Sequence, residues 1–154
     1  MKLKLATTED FATVKKMSLS FLKESPYSNY PKDETKMESI IFSFLLNNEE
    51  RICILAFSDE DKPIGIIAGY LNEALFTNEK VASEVMWWVH PKYRKRSRAG
   101  IELLEAFQHW SRMVGSSYIQ MQSLASTDDS GAVDKIYRKY GFVPKEVTYI
   151  KELR

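Results

Sequence analysis

The sequence predicts a single α/β domain, spanning residues 1–154, in which helices pack on a mixed β-sheet. Its 154 residues are close to the usual size of one domain, and no composition shift or internal repeat marks a boundary. Segments with apolar residues three and four positions apart, typical of helices, stand between short apolar runs typical of strands. The predicted order is strand, two helices, three strands, helix, strand, helix and further strands, which favours a mixed sheet.

The first third of the chain predicts one strand and two helices. Residues 2–6 alternate like a short strand, and Thr7 or Thr8 can cap the helix that follows. That helix has an apolar stripe and ends near Ser25-Pro26, because the residue before a proline disfavours helical backbone. The second helix ends at Asn47-Asn48. The two stripes are Phe11, Val14, Met17 and Phe21, and Met37, Ile40, Ile41, Phe44 and Leu45.

The middle of the chain predicts a hairpin and then a central strand. Residues 51–57 and 63–71 are apolar and strand-like, and the charged segment 59–62 between them predicts the turn. After a loop at residues 72–78, residues 81–89 are apolar and aromatic along their whole length, which favours a strand with neighbours on both sides. Glu84 is the only ionisable residue of that strand.

The last third predicts two helices and further strands. A long helix with a stripe of four apolar residues ends at Gly115, and residues 118–124 predict a strand. A short helix, capped by Thr127, Asp128 or Asp129, ends at Gly141. Residues 143–153 predict two short strands. The apolar positions of the two helices are Leu103, Phe107, Trp110 and Val114, and Val133, Ile136, Tyr137 and Tyr140.

Composition excludes several classes of protein. Lys and Arg number 22 and Asp and Glu 21, so the net charge of +1 favours neither nucleic acid nor a membrane surface as a partner. Cys53 is the single cysteine and His90 and His109 the only histidines, which excludes an intramolecular disulfide and a cysteine metal cluster, and we predict no metal site. No apolar run reaches the roughly 18 residues of a membrane span, and the N-terminus lacks the pattern of a signal peptide. We therefore expect a cytoplasmic protein.

The most basic segment lies between the aromatic strand and the long helix. Its cations include Arg94, Lys95, Arg96 and Arg98. A strand that leads directly into a helix directs free backbone N–H groups at whatever lies beyond it, which creates an anion site. The small residues Ser97, Ala99 and Gly100 would let a phosphate approach that backbone. A solvated basic turn is the alternative interpretation.

Two segments resemble motifs of one family, the GNAT acetyltransferase superfamily. Val89-His90-Pro91-Lys92-Tyr93-Arg94, continuing through Ser97, Ala99 and Gly100 into Leu103-Leu104, is similar to the family's Val-x-Pro-x-x-Arg strand end and Gln/Arg-x-x-Gly-x-Gly/Ala loop. Ile136-Tyr137-Arg138-Lys139-Tyr140-Gly141-Phe142 resembles the hydrophobic-Tyr-x-Lys-x-Gly-Phe segment that closes the same fold. The resemblance implies a GNAT fold, with about four helices and a mixed, mostly antiparallel sheet of six to seven strands, and acetyl-CoA as cofactor.

The basic loop departs from the family's pattern and admits two registers. Alignment on Arg94 places Ser97 and Ala99 at the small-residue positions, whereas counting back from Leu103 places Lys95, Arg98 and Gly100 there. We prefer the first register, which keeps the arginine. Gly131 stands where the family has an asparagine. These departures make cofactor affinity the property that most needs a test.

The resemblance also implies the cofactor site. In the family, the strand corresponding to residues 85–89 splays from the one corresponding to residues 118–123, and the pantetheine arm pairs with the open edge. The phenol at the position of Tyr137 lies near the thioester sulfur and protonates the departing thiolate, although a core tyrosine in its helical stripe is the alternative. The implied cofactor-binding residues are Trp88, Val89, Arg94, Lys95, Arg96, Ser97, Arg98, Ala99, Gly100, Ser126 and Tyr137.

Glu84 is the candidate general base. Burial in an apolar strand raises the pKa of a carboxyl group toward the range in which it can accept a proton from an ammonium group. Alternation with a period of two would place Met86 and Trp88 on the same face as Glu84. An outward-facing carboxylate, or one paired with a lysine, is the alternative.

The leading hypothesis is an N-acetyltransferase that transfers the acetyl group of acetyl-CoA to a primary amine by direct attack in a ternary complex. The alternatives are a non-catalytic acyl-CoA-binding or regulatory protein and a nucleic-acid-binding module that uses residues 92–98. The acceptor is a small-molecule or protein amine, and a homodimer is possible. Four carboxylates could attract an amine: Glu24, Asp33, Glu73 and Glu84.

Overall fold

The computed structural model describes residues 1–46, 49–124 and 131–154. These residues form two compact units, Met1–Gln122 and Ser123–Arg154. The first unit contains the sheet and most of the helices, and the second contains one helix and the C-terminal segment. That the two units form one domain stays a prediction.

The first unit is built on a five-stranded sheet with the strand order β1-β2-β3-β4-β5. Its first four strands pair in antiparallel fashion, and β5 joins β4 in parallel. The predicted mixed, mostly antiparallel sheet is therefore confirmed, as is the central position of the aromatic strand. The strands are β1 (Lys2–Leu5), β2 (Arg51–Phe57), β3 (Pro63–Glu73), β4 (Lys80–Val89) and β5 (Tyr118–Gln120).

Helices cover the sheet because their apolar stripes match its two faces. One cluster of buried side chains joins Met17 and Leu45 to Leu55, Met86 and Trp88 of the sheet. The other cluster joins Leu103 and Phe107, at the spacing that predicted the long helix, to the opposite face. The helices of this unit are α1 (Phe11–Glu24), α2 (Glu34–Leu45), the one-turn α3 (Pro91–Arg94) and α4 (Ala99–Met113), and a 3-10 turn, Thr8–Asp10, precedes α1.

The boundaries of the helices follow local chemistry. The capping box at Thr7 has Asp10 as its acidic partner, and α1 ends at Glu24 because the backbone of Ser25 is extended before the proline. Asp33 caps α2 by accepting a hydrogen bond from the amide of Lys36 at 2.9 Å. Gly115, with φ of +74°, follows the end of α4 as predicted. Asn47-Asn48, the predicted end of α2, lie outside the described residues.

The second unit contains α5 (Ala132–Lys139), which lies between two glycines with left-handed backbone, Gly131 (φ +66°) and Gly141 (φ +82°). Gly141 is thus the predicted stop. The ring of Tyr137 packs on that of Phe142, with centroids 5.4 Å apart, and the Phe142 amide donates to the Tyr137 carbonyl at 2.9 Å. The predicted caps Thr127, Asp128 and Asp129 lie outside the described residues.

The numbers of strands and helices differ from the prediction of six to seven strands and about four helices. The described residues contain five strands and five α-helices. Strand β5 stops at Gln120 instead of residue 124, and residues 143–153 form no strand, because a strand needs a partner for its backbone hydrogen bonds as well as an apolar sequence. The additional helix is α3, in which Pro91 occupies the first helical position.

None of the helices in the described part of the chain combines the length and the apolar character needed to cross a bilayer.

Candidate active site

Strands β4 and β5 pair only over three residues and then separate. The parallel pairs are Val81 with Tyr118, Ala82 with Ile119, and Ser83 with Gln120. Beyond them, the edge of β4 that includes Val85–Val89 has no strand partner on the β5 side among the described residues. This is the opening that the resemblance implied between residues 85–89 and residues 118–123.

Glu84 lies at the point where the two strands separate. Its side chain is buried, and its Oε2 accepts a hydrogen bond of 3.1 Å from the backbone amide of Gln122. Burial raises the pKa of the Glu84 carboxyl to about 7, and the hydrogen bond from Gln122 opposes that rise. A group with this pKa can take up and release a proton near neutral pH, as a general base must.

A cavity of about 220 Å³ opens beside Glu84. Among the lining residues that the structure describes, Glu84 is the only acidic or basic side chain, so a cationic amine that enters would meet its carboxylate. Ser83 donates a hydrogen bond of 2.9 Å to Oδ1 of Asn72. The cavity is lined by Tyr70, Ser83, Glu84, Val85, Gln120 and Gln122.

A β-bulge in β4 accompanies the opening. Met86 pairs with Ala68 and Glu84 pairs with Gly69, so Val85 is an extra residue with no partner in β3. The bulge interrupts the two-residue alternation between Glu84 and Met86. The alternation therefore does not place Glu84 on the face of Met86 and Trp88, contrary to the sequence-based expectation.

The basic loop after β4 leads directly into the N-terminus of α4. The hydroxyl of Ser97 donates to the carbonyl of Tyr93 at 3.0 Å and accepts from the amide of Ala99 at 3.3 Å. Within the ranges that the structure describes, the next two amides, those of Gly100 and Ile101, donate to no protein acceptor. They are the free N–H groups of a helix N-terminus, which attract anions together with the helix dipole.

The residues of the loop differ in their exposure and in their contacts with the rest of the protein. Lys95, Arg96 and Arg98 are exposed, and the contact of Arg98 with Glu105 is a loose 3.9 Å. Ala99 is fully buried in the core, so its side chain is part of the α4 packing and only its backbone faces the loop. Gly100 accepts a hydrogen bond of 3.1 Å from Nε1 of Trp87 through its carbonyl, which ties the loop to β4.

Arg94 is held by two contacts on the end of the sheet. Its Nε donates to the carbonyl of Val89 at 2.7 Å, and its Nη2 donates to Oε2 of Glu24 at 2.5 Å. The other oxygen of Glu24 accepts from Nε1 of Trp88 at 3.0 Å. Sequence reasoning treated Glu24 only as a carboxylate that could attract an amine, and its position at the end of an amphipathic helix gave no sign of these two partners.

The remaining predicted residues are placed as follows. Tyr137 belongs to the second unit, where its side chain is buried. Ser126 lies outside the described residues. His90 caps α3 by accepting from the Lys92 amide through Nδ1 at 3.2 Å.

Burial raises the pKa of the Cys53 thiol to about 12, so this cysteine is a core residue that stays protonated. Among the described residues, no three His, Cys, Asp or Glu side chains are grouped as metal ligands.

Known proteins resemble the chain in both sequence pattern and fold. The model of the Acetyltransferase (GNAT) family matches residues 17–142. No curated protein matches the chain. A ribosomal-protein-alanine N-acetyltransferase from Brucella melitensis biovar Abortus 2308 has a similar structure, with a TM-score of 0.70 and 12% identity over 99% of this chain and 100% of that one.

Two further solved structures are similar. The aminoglycoside antibiotic 6'-N-acetyltransferase AAC(6')-IG from Acinetobacter haemolyticus has a TM-score of 0.69 and 17% identity over 100% of this chain and 99% of its own. AAC(6')-Iy, in complex with the bisubstrate analogue CoA-S-monomethyl-acetylneamine, has a TM-score of 0.70 and 15% identity over 99% of this chain and 97% of its own. At these identities the structures establish the fold, and the family model, which matches most of the chain, establishes membership: the chain belongs to the GNAT family of acetyltransferases.

Proposed function

We propose that this acetyltransferase transfers the acetyl group of acetyl-CoA to a primary amine by direct attack, with Glu84 as the general base. The observation that carries the proposal is the position of Glu84, buried where β4 and β5 separate, with its pKa raised to about 7. An amine attacks only after it loses a proton. The Glu84 carboxylate lies beside a cavity whose described lining has no other charged group, and it is suited to receive that proton.

The chain offers a donor set that fits the anionic part of the cofactor. At the N-terminus of α4, a helix of 15 residues, the amides of Gly100 and Ile101 have no protein acceptor within the described part of the chain. Arg96 and Arg98 lie exposed beside them and supply positive charge. Backbone donors, a helix dipole and arginines are the groups that bind phosphates in proteins. We assign the phosphates of acetyl-CoA to this loop.

When bound, acetyl-CoA supplies the acetyl group as an activated thioester. Glu84 accepts the proton of the amine at its carboxylate. By the family's pattern, the Tyr137 phenol is the group that would donate a proton to the departing sulfur. Amides along the edge of β4 that has no strand partner among the described residues would orient the ligand through backbone hydrogen bonds, as an added strand does.

The acceptor is a small-molecule or protein amine. Structural neighbours named as aminoglycoside and ribosomal-protein-alanine acetyltransferases support the use of both classes in a first screen. Glu84 is the one charged group in the part of the cavity lining that the structure describes, which favours acceptors that present a single ammonium group there.

Two measurements test the proposal. Calorimetry with acetyl-CoA should detect binding that is weakened in the double variant Arg96→Ala, Arg98→Ala. Thiol release in the presence of an aminoglycoside, or of a peptide with a free N-terminal alanine, should depend on Glu84. Binding without turnover across a broad amine screen would favour the non-catalytic acyl-CoA-binding protein, and no binding at millimolar acetyl-CoA would refute the assigned cofactor.

A further inference from the structure

The carboxylate of Glu24 occupies an unfavourable position for a negative charge. Glu24 is the last residue of α1, where the helix dipole presents its negative end and disfavours anions. Two donors compensate it, Nε1 of Trp88 at 3.0 Å and Nη2 of Arg94 at 2.5 Å. The two donors therefore offset the unfavourable position of the Glu24 carboxylate and join it to Trp88 and Arg94.

Both partners belong to the end of β4 and the loop that follows. Trp88 is buried in the core cluster, so its Nε1 provides a fixed donor. Arg94 is flexible by nature, but its Nε is bound to the Val89 carbonyl and its Nη2 to Glu24. Glu24 therefore links the buried Trp88 to Arg94, and its contact restricts the orientation of the Arg94 guanidinium.

The ion pair between Glu24 and Arg94 is not mainly a source of stability. The side chains of Glu24 and Arg94 are 39% and 43% exposed, and ion pairs with this exposure contribute little to the free energy of unfolding. Its effect is geometric. Within the described residues, the other guanidinium donors of Arg94 have no protein acceptor, so they are available to an anion and are held in place before it binds.

We propose that Glu24 is a positioning residue for the anionic end of the cofactor and acts through Arg94. This inference rests on the proposed function, because it assumes that the basic loop binds a CoA phosphate. Since Glu24 also precedes the segment 25–33 that joins α1 to α2, the same contact connects the base of that segment to the cofactor loop.

The test is the affinity for coenzyme A, measured by calorimetry on the full chain. Glu24→Gln keeps an oxygen for Trp88 but removes the charge that holds Arg94, and we expect the Kd to rise about tenfold with kcat within twofold of wild type. Glu24→Asp, which keeps the charge on a shorter side chain, should have an intermediate Kd. Glu38→Gln is the matched control, because it breaks the Lys15 contact of another carboxylate with 40% exposure.

A second arm tests the route through Arg94. In an Arg94→Gln background, Glu24→Gln should cause no further loss of coenzyme A affinity, since the residue it positions is gone. Equal Kd values for Glu24→Gln and wild type, or a full tenfold effect of Glu24→Gln in the Arg94→Gln background, would overturn the proposal. If the wild-type protein binds no coenzyme A, the proposed cofactor is wrong and this inference fails with it. That outcome differs from one in which the wild type binds coenzyme A with a Kd that does not change in Glu24→Gln.

Folding of the variants is checked without ligand. Unfolding in denaturant should give the same midpoint, within error, for Glu24→Gln and Glu38→Gln. A large loss of stability in Glu24→Gln alone, with Glu24→Asp binding coenzyme A like wild type, would make the contact structural and would also overturn the positioning role.

Discussion

The backbone amide of Gln122 donates to Oε2 of Glu84 at 3.1 Å, just past the last residues at which β4 and β5 pair. One hydrogen bond from a neutral donor offsets only part of the cost of burying a carboxylate. The pKa of Glu84 is therefore raised to about 7 rather than held in the usual range. This hydrogen bond joins two residues 38 positions apart, and the proposed role of Glu84 as a base depends on the pKa that results.

The first prediction concerns the pH dependence of turnover. Because Glu84 must be ionised to accept a proton, kcat/KM should increase through a limb with an apparent pKa near 7. Glu84→Gln should lack that limb and lower kcat by about 10²-fold or more. The assay should use an acceptor whose amine has a pKa above 8, so that the ionisation of the amine is separated from the ionisation of Glu84. Glu60→Gln, in the exposed turn between β2 and β3, is the control and should retain the wild-type profile. An unchanged limb in Glu84→Gln would exclude Glu84 as the base.

The second prediction concerns stability. The raised pKa of Glu84 means that the folded state binds more protons than the unfolded state between pH 4.5, the usual pKa of a glutamate, and about pH 7. The free energy of unfolding should therefore fall as the pH rises through that window, by about 3 kcal/mol in total, and then level off. The side chain in Glu84→Gln cannot ionise, so this variant should not show the pH-dependent fall in the free energy of unfolding. Urea unfolding at pH 5 and pH 8 measures the change in the free energy of unfolding between these pH values. An equal change in wild type and in Glu84→Gln would show that Glu84 is not the buried titrating group.

The third prediction concerns Gly69, which pairs with Glu84 at the bulge. A Cβ at Gly69 would lie 2.5 Å from the Phe107 ring and 2.7 Å from the Ser83 carbonyl, and neither group can move away easily. Gly69→Ala should therefore destabilise the protein by about 1–3 kcal/mol. A Cβ at Gly100 meets Trp87 at an ordinary 3.5 Å, so Gly100→Ala should leave stability unchanged or slightly higher. Equal unfolding midpoints for the two variants would contradict the close approach.

The contrast between Leu103 and Val85 explains how much the sequence predicts. Leu103 and Phe107 lie one helical turn apart, and that local spacing was sufficient to predict α4 and its buried face. The bulge at Val85 depends on how β4 pairs with β3, which is a relationship between strands that neither strand's own pattern contains.

The same reasoning applies to the site. The buried carboxylate of Glu84 and the loop of free amides follow from local features: an acid in an apolar strand, and a strand that leads into a helix. The link from Glu24 to Trp88 and Arg94 joins residues 64 and 70 positions apart. Long-range contacts of this kind require the tertiary structure, and so does the shortness of β5, because strand length is limited by its partner.

The last prediction concerns Tyr137. Its ring packs on Phe142 and its carbonyl accepts from the Phe142 amide, so Tyr137→Phe keeps the ring and the backbone while it removes only the hydroxyl. If the phenol protonates the departing thiolate, kcat should fall about 10²-fold while the Kd of acetyl-CoA stays within a few-fold of wild type. Tyr140→Phe, on the same helical stripe, is the control and should keep wild-type kcat. Stopped assays of thiol release with calorimetry separate the two quantities; a wild-type kcat in Tyr137→Phe would assign Tyr137 to packing alone.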